Sequence, residues 1–245
     1  FIIGGGAADA GAQLYSTHEA CGAACFETYA GRGIVPFSYP LNFGAALARP
    51  SSAQIMAEAD CVVAIGTELS EVDLWRDRIG HNCPLYRIDI DPECLSDHHR
   101  ADVGIQARAK DALVALLRVL PKSQSKWEPS QVVSQRKKWR AETEVERPGI
   151  IAIADALRDA IPNETMIYSD MTQFAYVAKE VWPLEQPKHW HHPSGFGTLG
   201  YALPAAIGGA VARPNQPTLA IAGDYGFQYT VQELGTAVEL GQALP

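Results

Sequence analysis

The sequence predicts an α/β protein made of two doubly wound parallel-sheet domains, and three observations carry that prediction. Short continuous apolar runs, such as CVVAIG (61–66) and TLAIAGD (218–224), read as strands buried on both faces. Stretches of helical periodicity separate them, as in KDALVALLRVL (110–120). The alternation breaks once, over the polar, proline-bearing segment 121–148. The expected layout is therefore one domain over 1–120, a linker over 121–148 and a second domain over 149–245.

Taken in order, FII (1–3) is a strand that runs into Gly4-Gly5-Gly6, and a helix follows from Asp9 to about Cys21. ACFET (24–28) reads as a strand, and SSAQIMAEA (51–59) as a short helix capped by Ser51 or Ser52. CVVAIG, LYRIDID (85–91) and VGIQA (103–107) are the next strands, and the helix over 110–120 stops at Pro121. A surface helix fits inside the linker, whose Trp127 and Trp139 are expected to pack between the domains. GIIAIADALRDAI (149–161) is an amphipathic helix, and ETMIYSD (164–170) is a strand ending on Ser169-Asp170. A glycine- and alanine-rich turn and helix (195–212) precedes the strand TLAIAGD, with Pro204 tolerable near the helix start. The last helix opens with Thr230 and Glu233 at capping-box spacing, shows Leu234 and Val238 on one face, and stops at Gly241.

The chain has 245 residues, 47% of them apolar, and a formal net charge of −8. An acidic balance argues against a nucleic-acid binder, which needs basic surface to displace counterions. The apolar runs are too short to cross a bilayer. Five cysteines (21, 25, 61, 83 and 94) form no C-x-x-C pair and read as reduced thiols of a cytoplasmic protein. Opening on FIIGGG without Met, the stretch is expected to be an interior piece of a longer chain.

Three segments of the second half, SDMTQ, SGFGTLG and GDYGFQYT, leave the sheet where parallel folds bind ligands, at the carboxyl ends of strands. Only the last carries an acidic side chain between glycines. Asp224 cannot sit there buried and unpaired; a helix cap or a bound cation must compensate it. Mg²⁺ takes one or two carboxylates together with phosphate oxygens and water. Gly223 and Gly226 would let backbone N–H groups approach an anion. The bare local pattern suits either a helix-capping Asp or a metal-bridged phosphate.

GDYGFQYTVQELGTAVELGQALP resembles the diphosphate- and Mg²⁺-binding motif of thiamine-diphosphate enzymes. HPSGFGTLGYALPAAIGGA resembles the segment that holds the cofactor's aminopyrimidine in that superfamily, and YSDMTQ its earlier diphosphate turn. ACFETYAGRGIVP and ADCVVAIGTELSEVDLW with LYRIDIDP resemble its central domain. The nearest groups are the acetolactate synthases and the 2-oxo acid decarboxylases. The resemblance implies a Rossmann-like central domain and a diphosphate-binding domain that is incomplete at its carboxyl side. It implies Asp224 as the Mg²⁺ ligand, with Gly223, Tyr225 and Gly226 around the diphosphate and Met171, Thr172 and Gln173 opposite. It implies that the Gly197 carbonyl, with Thr198 and Leu199, meets the cofactor rings, Leu199 bending them into a V. It implies non-oxidative decarboxylation of a 2-oxo acid through the cofactor ylide, in a homodimer or homotetramer. An acetolactate-synthase-like carboligase and a non-catalytic thiamine-diphosphate-binding paralogue are the alternatives within the family. The family's catalytic glutamate is expected before Phe1 and its closing Asn after Pro245, so this stretch alone is not expected to turn over.

The sequence departs from the family pattern at two places in this motif set. Tyr225 stands where the metal motif carries Gly, which is costly if that position needs φ > 0. Phe174 stands where some synthases carry a phosphate-contacting His. In the first half, Gly4-Gly5-Gly6 is followed by Asp9 where a dinucleotide fingerprint needs its third glycine, which disfavours nicotinamide and a dehydrogenase. FAD is the synthase ligand of this domain and is not favoured. The loop Gly66–Asp73 carries Glu68, Glu71 and Asp73 where the synthases carry arginine, and no arginine occurs before Arg76. That acidity suits a substrate with a cationic tail, or a solvated loop. Among His189, His191 and His192, a surface loop is expected, with His192 the candidate to face a substrate.

Overall fold

The computed structural model describes residues 1–242 and 244. The chain divides into two compact units, Phe1–Glu142 with Pro183–Pro187, and Thr143–Trp182 with Lys188–Pro245. In the first unit, five parallel strands lie in the order β2-β1-β3-β4-β5. They are β1 (Ile2–Ile3), β2 (Phe26–Glu27), β3 (Val62–Ile65), β4 (Leu85–Asp89) and β5 (Val103–Gln106). Successive strand residues face opposite sides. Ile2 therefore packs with Phe26, Met56, Val62 and Leu85, while Ile3 packs with Leu14, Ile65, Ile88 and Leu113. Helix α1 (Gly11–Cys21) starts two residues later than the sequence suggests and ends on Gly22 at φ +62. Glycine takes that left-handed turn without a Cβ penalty.

Two local expectations fail here. Helix α2 (Ser52–Ala57) has no side-chain cap. Ser52 Oγ donates instead to the Leu47 carbonyl at 2.7 Å, and Ser51 Oγ accepts from Trp139 Nε1 at 2.8 Å. Trp127 and Trp139, expected between the domains, belong to the core of the first unit. Trp139 is 4% exposed there, tilted against Phe26 and edge-on to Phe43, and Trp127 also meets Phe43 edge-on. A short helix α3 (Glu71–Leu74) and helix α4 (Ala109–Leu117) follow before residue 121. Residues 129–146 form the long helix α5 (Pro129–Glu146), whose Val132 and Trp139 join that same core.

In the second unit, β6 (Met166–Ser169) lies between β7 (Trp190–His191) and β8 (Thr218–Ile221), all parallel. Helix α6 (Ile150–Ala160) packs on α7 (Gln173–Val181), and α8 (Ala202–Ala212) covers β6 and β8. Gly209 of α8 leaves room for Tyr168; a Cβ there would overlap the tyrosine ring. The expected capping box is absent. Helix α9 (Asp224–Tyr229) intervenes, Thr230 closes it by donating its N–H to Phe227, and α10 (Glu233–Glu239) then starts without a side-chain cap. The chain does leave α10 at Gly241, φ +63. The expected surface loop 189–192 is in part an edge strand, because Trp190 is buried and pairs with Ile167.

Candidate functional site

Strands β6 and β8 run in register, Ser169 opposite Ile221, so Asp170 and the Gly223-Asp224 turn leave the sheet side by side. Asp170 is 1% exposed, and its N–H donates to the Ile221 carbonyl at 2.8 Å. Oδ1 accepts the N–H groups of Tyr201 and Ala202, each at 2.8 Å, and Oδ2 accepts that of Gly200 at 3.2 Å. The carboxylate thus satisfies backbone donors at the start of α8, donors that a helix cannot satisfy itself. It also lies against Gly226, where any Cβ would overlap Oδ2. Sequence reasoning missed this residue. Its signal is indirect: α8 begins at Ala202, and Tyr201 before it supplies no capping side chain.

The other candidates take their places along the same edge. Thr172 caps α7, its Oγ1 accepting the Ala175 N–H at 3.0 Å, and Gln173 opens that helix exposed. Met171 reaches toward Gly197, where a Cβ would stand 3.5 Å from its Cε. Gly197 holds φ +69, and Thr198 and Leu199 beside it are exposed. Gly223 is the extended residue before α9 and provides no side-chain cap. The N–H groups of Asp224, Tyr225 and Gly226 therefore lack acceptors within the helix. Tyr225 is helical, so the strain that a left-handed third position would impose does not arise.

Asp224 is exposed, and among the described residues its carboxylate neither accepts a hydrogen bond nor pairs with Lys or Arg. No group of three or more His, Cys, Asp or Glu that could hold a metal occurs among the described residues. A cation at Asp224 would need further oxygens from a ligand, which is the donor set of a metal-bridged phosphate. One uncommitted carboxylate beside uncommitted N–H groups fits Mg²⁺ with a diphosphate.

Beside these turns, Ser169 Oγ accepts from Trp190 Nε1 at 2.7 Å and is hydrogen-bonded to His192 Nδ1 at 2.9 Å. His192 is thus tied to the end of β6. His191 stacks on Tyr168 with ring centres 5.0 Å apart, and burial lowers its pKa.

In the first unit, Glu68 and Glu71 are exposed. Asp73 is engaged within the fold: Oδ1 accepts the Tyr29 N–H at 3.1 Å and Oδ2 the Ser70 hydroxyl at 2.9 Å. Trp75 follows at φ +50, with its side chain 65% exposed. Arg76 spends its guanidinium on main-chain carbonyls, among them Leu47 at 2.6 Å, Arg78 at 2.8 Å and Ile79 at 3.0 Å.

Two family models match the chain. "Thiamine pyrophosphate enzyme, central domain" covers residues 1–116, and "Thiamine pyrophosphate enzyme, C-terminal TPP binding domain" covers residues 170–244. A probable 2-ketoarginine decarboxylase of Pseudomonas aeruginosa is 39% identical over 97% of this chain and 43% of its own length. Acetolactate synthase isozyme 3 large subunit of Escherichia coli is 28% identical over 97% of this chain and 44% of its own length. The acetolactate synthase large subunit of Haemophilus influenzae is 30% identical over 76% of this chain and 34% of its own length. The chain spans less than half the length of these relatives.

Proposed function

The chain belongs to the thiamine pyrophosphate enzyme family, and from that premise we propose that the whole protein is a Mg²⁺-dependent decarboxylase of a 2-oxo acid with a guanidinium tail. The observation that carries the cofactor half is the uncommitted Asp224 carboxylate at the head of α9. In this reading Asp224 holds the Mg²⁺, and Gly223, Tyr225 and Gly226 offer backbone N–H groups to the diphosphate. Met171, Thr172 and Gln173 flank it from the turn between β6 and α7. Gly197, in the left-handed conformation, receives the rings together with Thr198 and Leu199. Thiamine diphosphate, when bound, supplies the electron sink for the carbanion left as CO₂ departs. The chain's own contribution is to bind and orient, which converts an encounter into a positioned reaction.

The substrate half rests on the relative named for 2-ketoarginine and on the loop after β3. Glu68 and Glu71 offer negative charge, and the exposed Trp75 offers an aromatic face on which a guanidinium can stack. Asp73, already engaged with Tyr29 and Ser70, stays with the fold. A carboligase of the acetolactate synthase kind is the second reading, since those relatives match the same span. Against it stands Arg76, the first arginine of this loop, which is committed to carbonyls and not displayed. A non-catalytic cofactor binder is the third.

The test is CO₂ release by the full-length protein with Mg²⁺ and thiamine diphosphate, comparing a guanidino 2-oxo acid with pyruvate. A higher kcat/KM for the guanidino acid, lost in Glu68→Gln and Glu71→Gln through KM, is expected. Preference for pyruvate ends the substrate assignment. Cofactor binding without CO₂ from either acid points to the non-catalytic reading.

A further inference from the structure

The geometry points to Asp170 as a positioning residue that couples the ring-side segment Gly197–Ala202 to the diphosphate-side turn Gly223–Gly226; this rests on the cofactor reading above. Three contacts close a triangle within the second unit. Oδ2 of Asp170 accepts the Gly200 N–H at 3.2 Å. Gly200, at φ +82, packs on α9, where a Cβ would stand 3.4 Å from the Gly226 carbonyl oxygen and 3.1 Å from Tyr229 Cβ. Gly226 returns to Oδ2 of Asp170 so closely that only glycine fits. Oδ1 meanwhile holds Tyr201 and Ala202 at 2.8 Å. One buried carboxylate therefore touches both turns and sits at the end of the strand that precedes the third, Met171–Gln173.

The consequence is directional. Anything that orders the head of α9 presses Gly226 onto Oδ2, and Oδ2 in turn fixes the Gly200 amide. The turn that would hold the diphosphate and the segment that would hold the rings are set together. Oδ1 keeps the start of α8 capped, while Oδ2 carries the coupling. Asp170→Asn separates these roles. With its oxygen toward Tyr201 and Ala202, asparagine keeps the cap, and its NH₂ cannot accept from Gly200.

The experiment is backbone hydrogen exchange on the full-length protein without thiamine diphosphate, with Mg²⁺ and with or without inorganic pyrophosphate. Pyrophosphate lacks the rings, so protection at the ring side must be transmitted. In the unmodified protein, added pyrophosphate is expected to slow exchange at least tenfold at 224–227 and also at 200–202. In Asp170→Asn the protection should stop at 224–227, and the Kd for thiamine diphosphate should rise about tenfold. Protection confined to 224–227 in the unmodified protein, or undiminished at 200–202 in Asp170→Asn, overturns the coupling. If pyrophosphate protects nothing, the cofactor reading fails instead, and the ligand-free arm decides the coupling. There, Gly226→Ala should speed exchange at 200–202 at least tenfold, and Asp170→Ala with Gly226→Ala should be no faster than Asp170→Ala alone. Accelerations that multiply, or none in Gly226→Ala, overturn it. Should Asp170→Asn fail to fold, the unmodified protein and Gly226→Ala still decide.

Discussion

His18 should make the first unit acid-sensitive, and replacing it with glutamine should remove that sensitivity. The imidazole is fully buried between the rings of Phe1, 4.9 Å away, and Tyr39, 5.1 Å away. Nδ1 lies 2.9 Å from the Ala23 carbonyl, which can only accept, so Nδ1 carries the proton. Nε2 is buried without a hydrogen-bond partner among the described residues. Burial is the largest cause lowering the pKa to about 3 from 6.5. In the unfolded chain the imidazole titrates near its ordinary value. Below about pH 6.5 the unfolded state gains a proton that the folded state refuses, and stability falls until about pH 3. From pH 7.5 to pH 5 the loss works out at about 2 kcal/mol. His18→Gln keeps a donor for Ala23 and cannot titrate. The stability difference between the unmodified protein and His18→Gln should therefore move by about 2 kcal/mol against the unmodified protein over that interval. Urea titrations read by hydrogen exchange at Val62–Ile65, the central strand of the unit, measure it. A difference that stays constant across the interval refutes the argument, because His18 would then titrate alike folded and unfolded.

Asp224→Ala in the full-length protein should abolish Mg²⁺-dependent binding of thiamine diphosphate by calorimetry, since no other acid lies in that turn; unchanged affinity removes the metal assignment. Chelation of Mg²⁺ should reproduce the loss in the unmodified protein and change nothing further in Asp224→Ala. Gly197→Ala should weaken the cofactor roughly tenfold through the cost of a side chain at φ +69, about 1–2 kcal/mol, because its Cβ would meet only Met171 at an ordinary distance. Wild-type affinity in Gly197→Ala would show that this backbone turn is not needed. Trp139→Ala should cost about 3–5 kcal/mol in urea unfolding of the first unit, and a loss below 1 kcal/mol would contradict its place in the core.

What was legible in the sequence were features set within a few residues. The strands at 62–65, 85–89, 166–169 and 218–221 announced themselves because each is a short, mainly apolar run between turn residues. The glycine-bracketed Asp224 was legible for the same reason, since the strand end and the turn are adjacent in sequence. What escaped depends on partners far along the chain. The strand at Trp190–His191 is two residues long in a histidine-rich stretch, and only pairing with Ile167 makes it a strand. Helix α5 looks polar throughout, yet two of its residues complete a core formed a hundred residues earlier. Ser51 looked like a cap until Trp139 supplied a better donor. Asp170 belongs to the same class, since the amides it satisfies lie about thirty residues on. A helix that opens without a cap of its own, as α8 does, should direct attention to buried acids at neighbouring strand ends. Applied to this chain, that rule selects Asp170, and with it the contact that makes Gly226 obligatory.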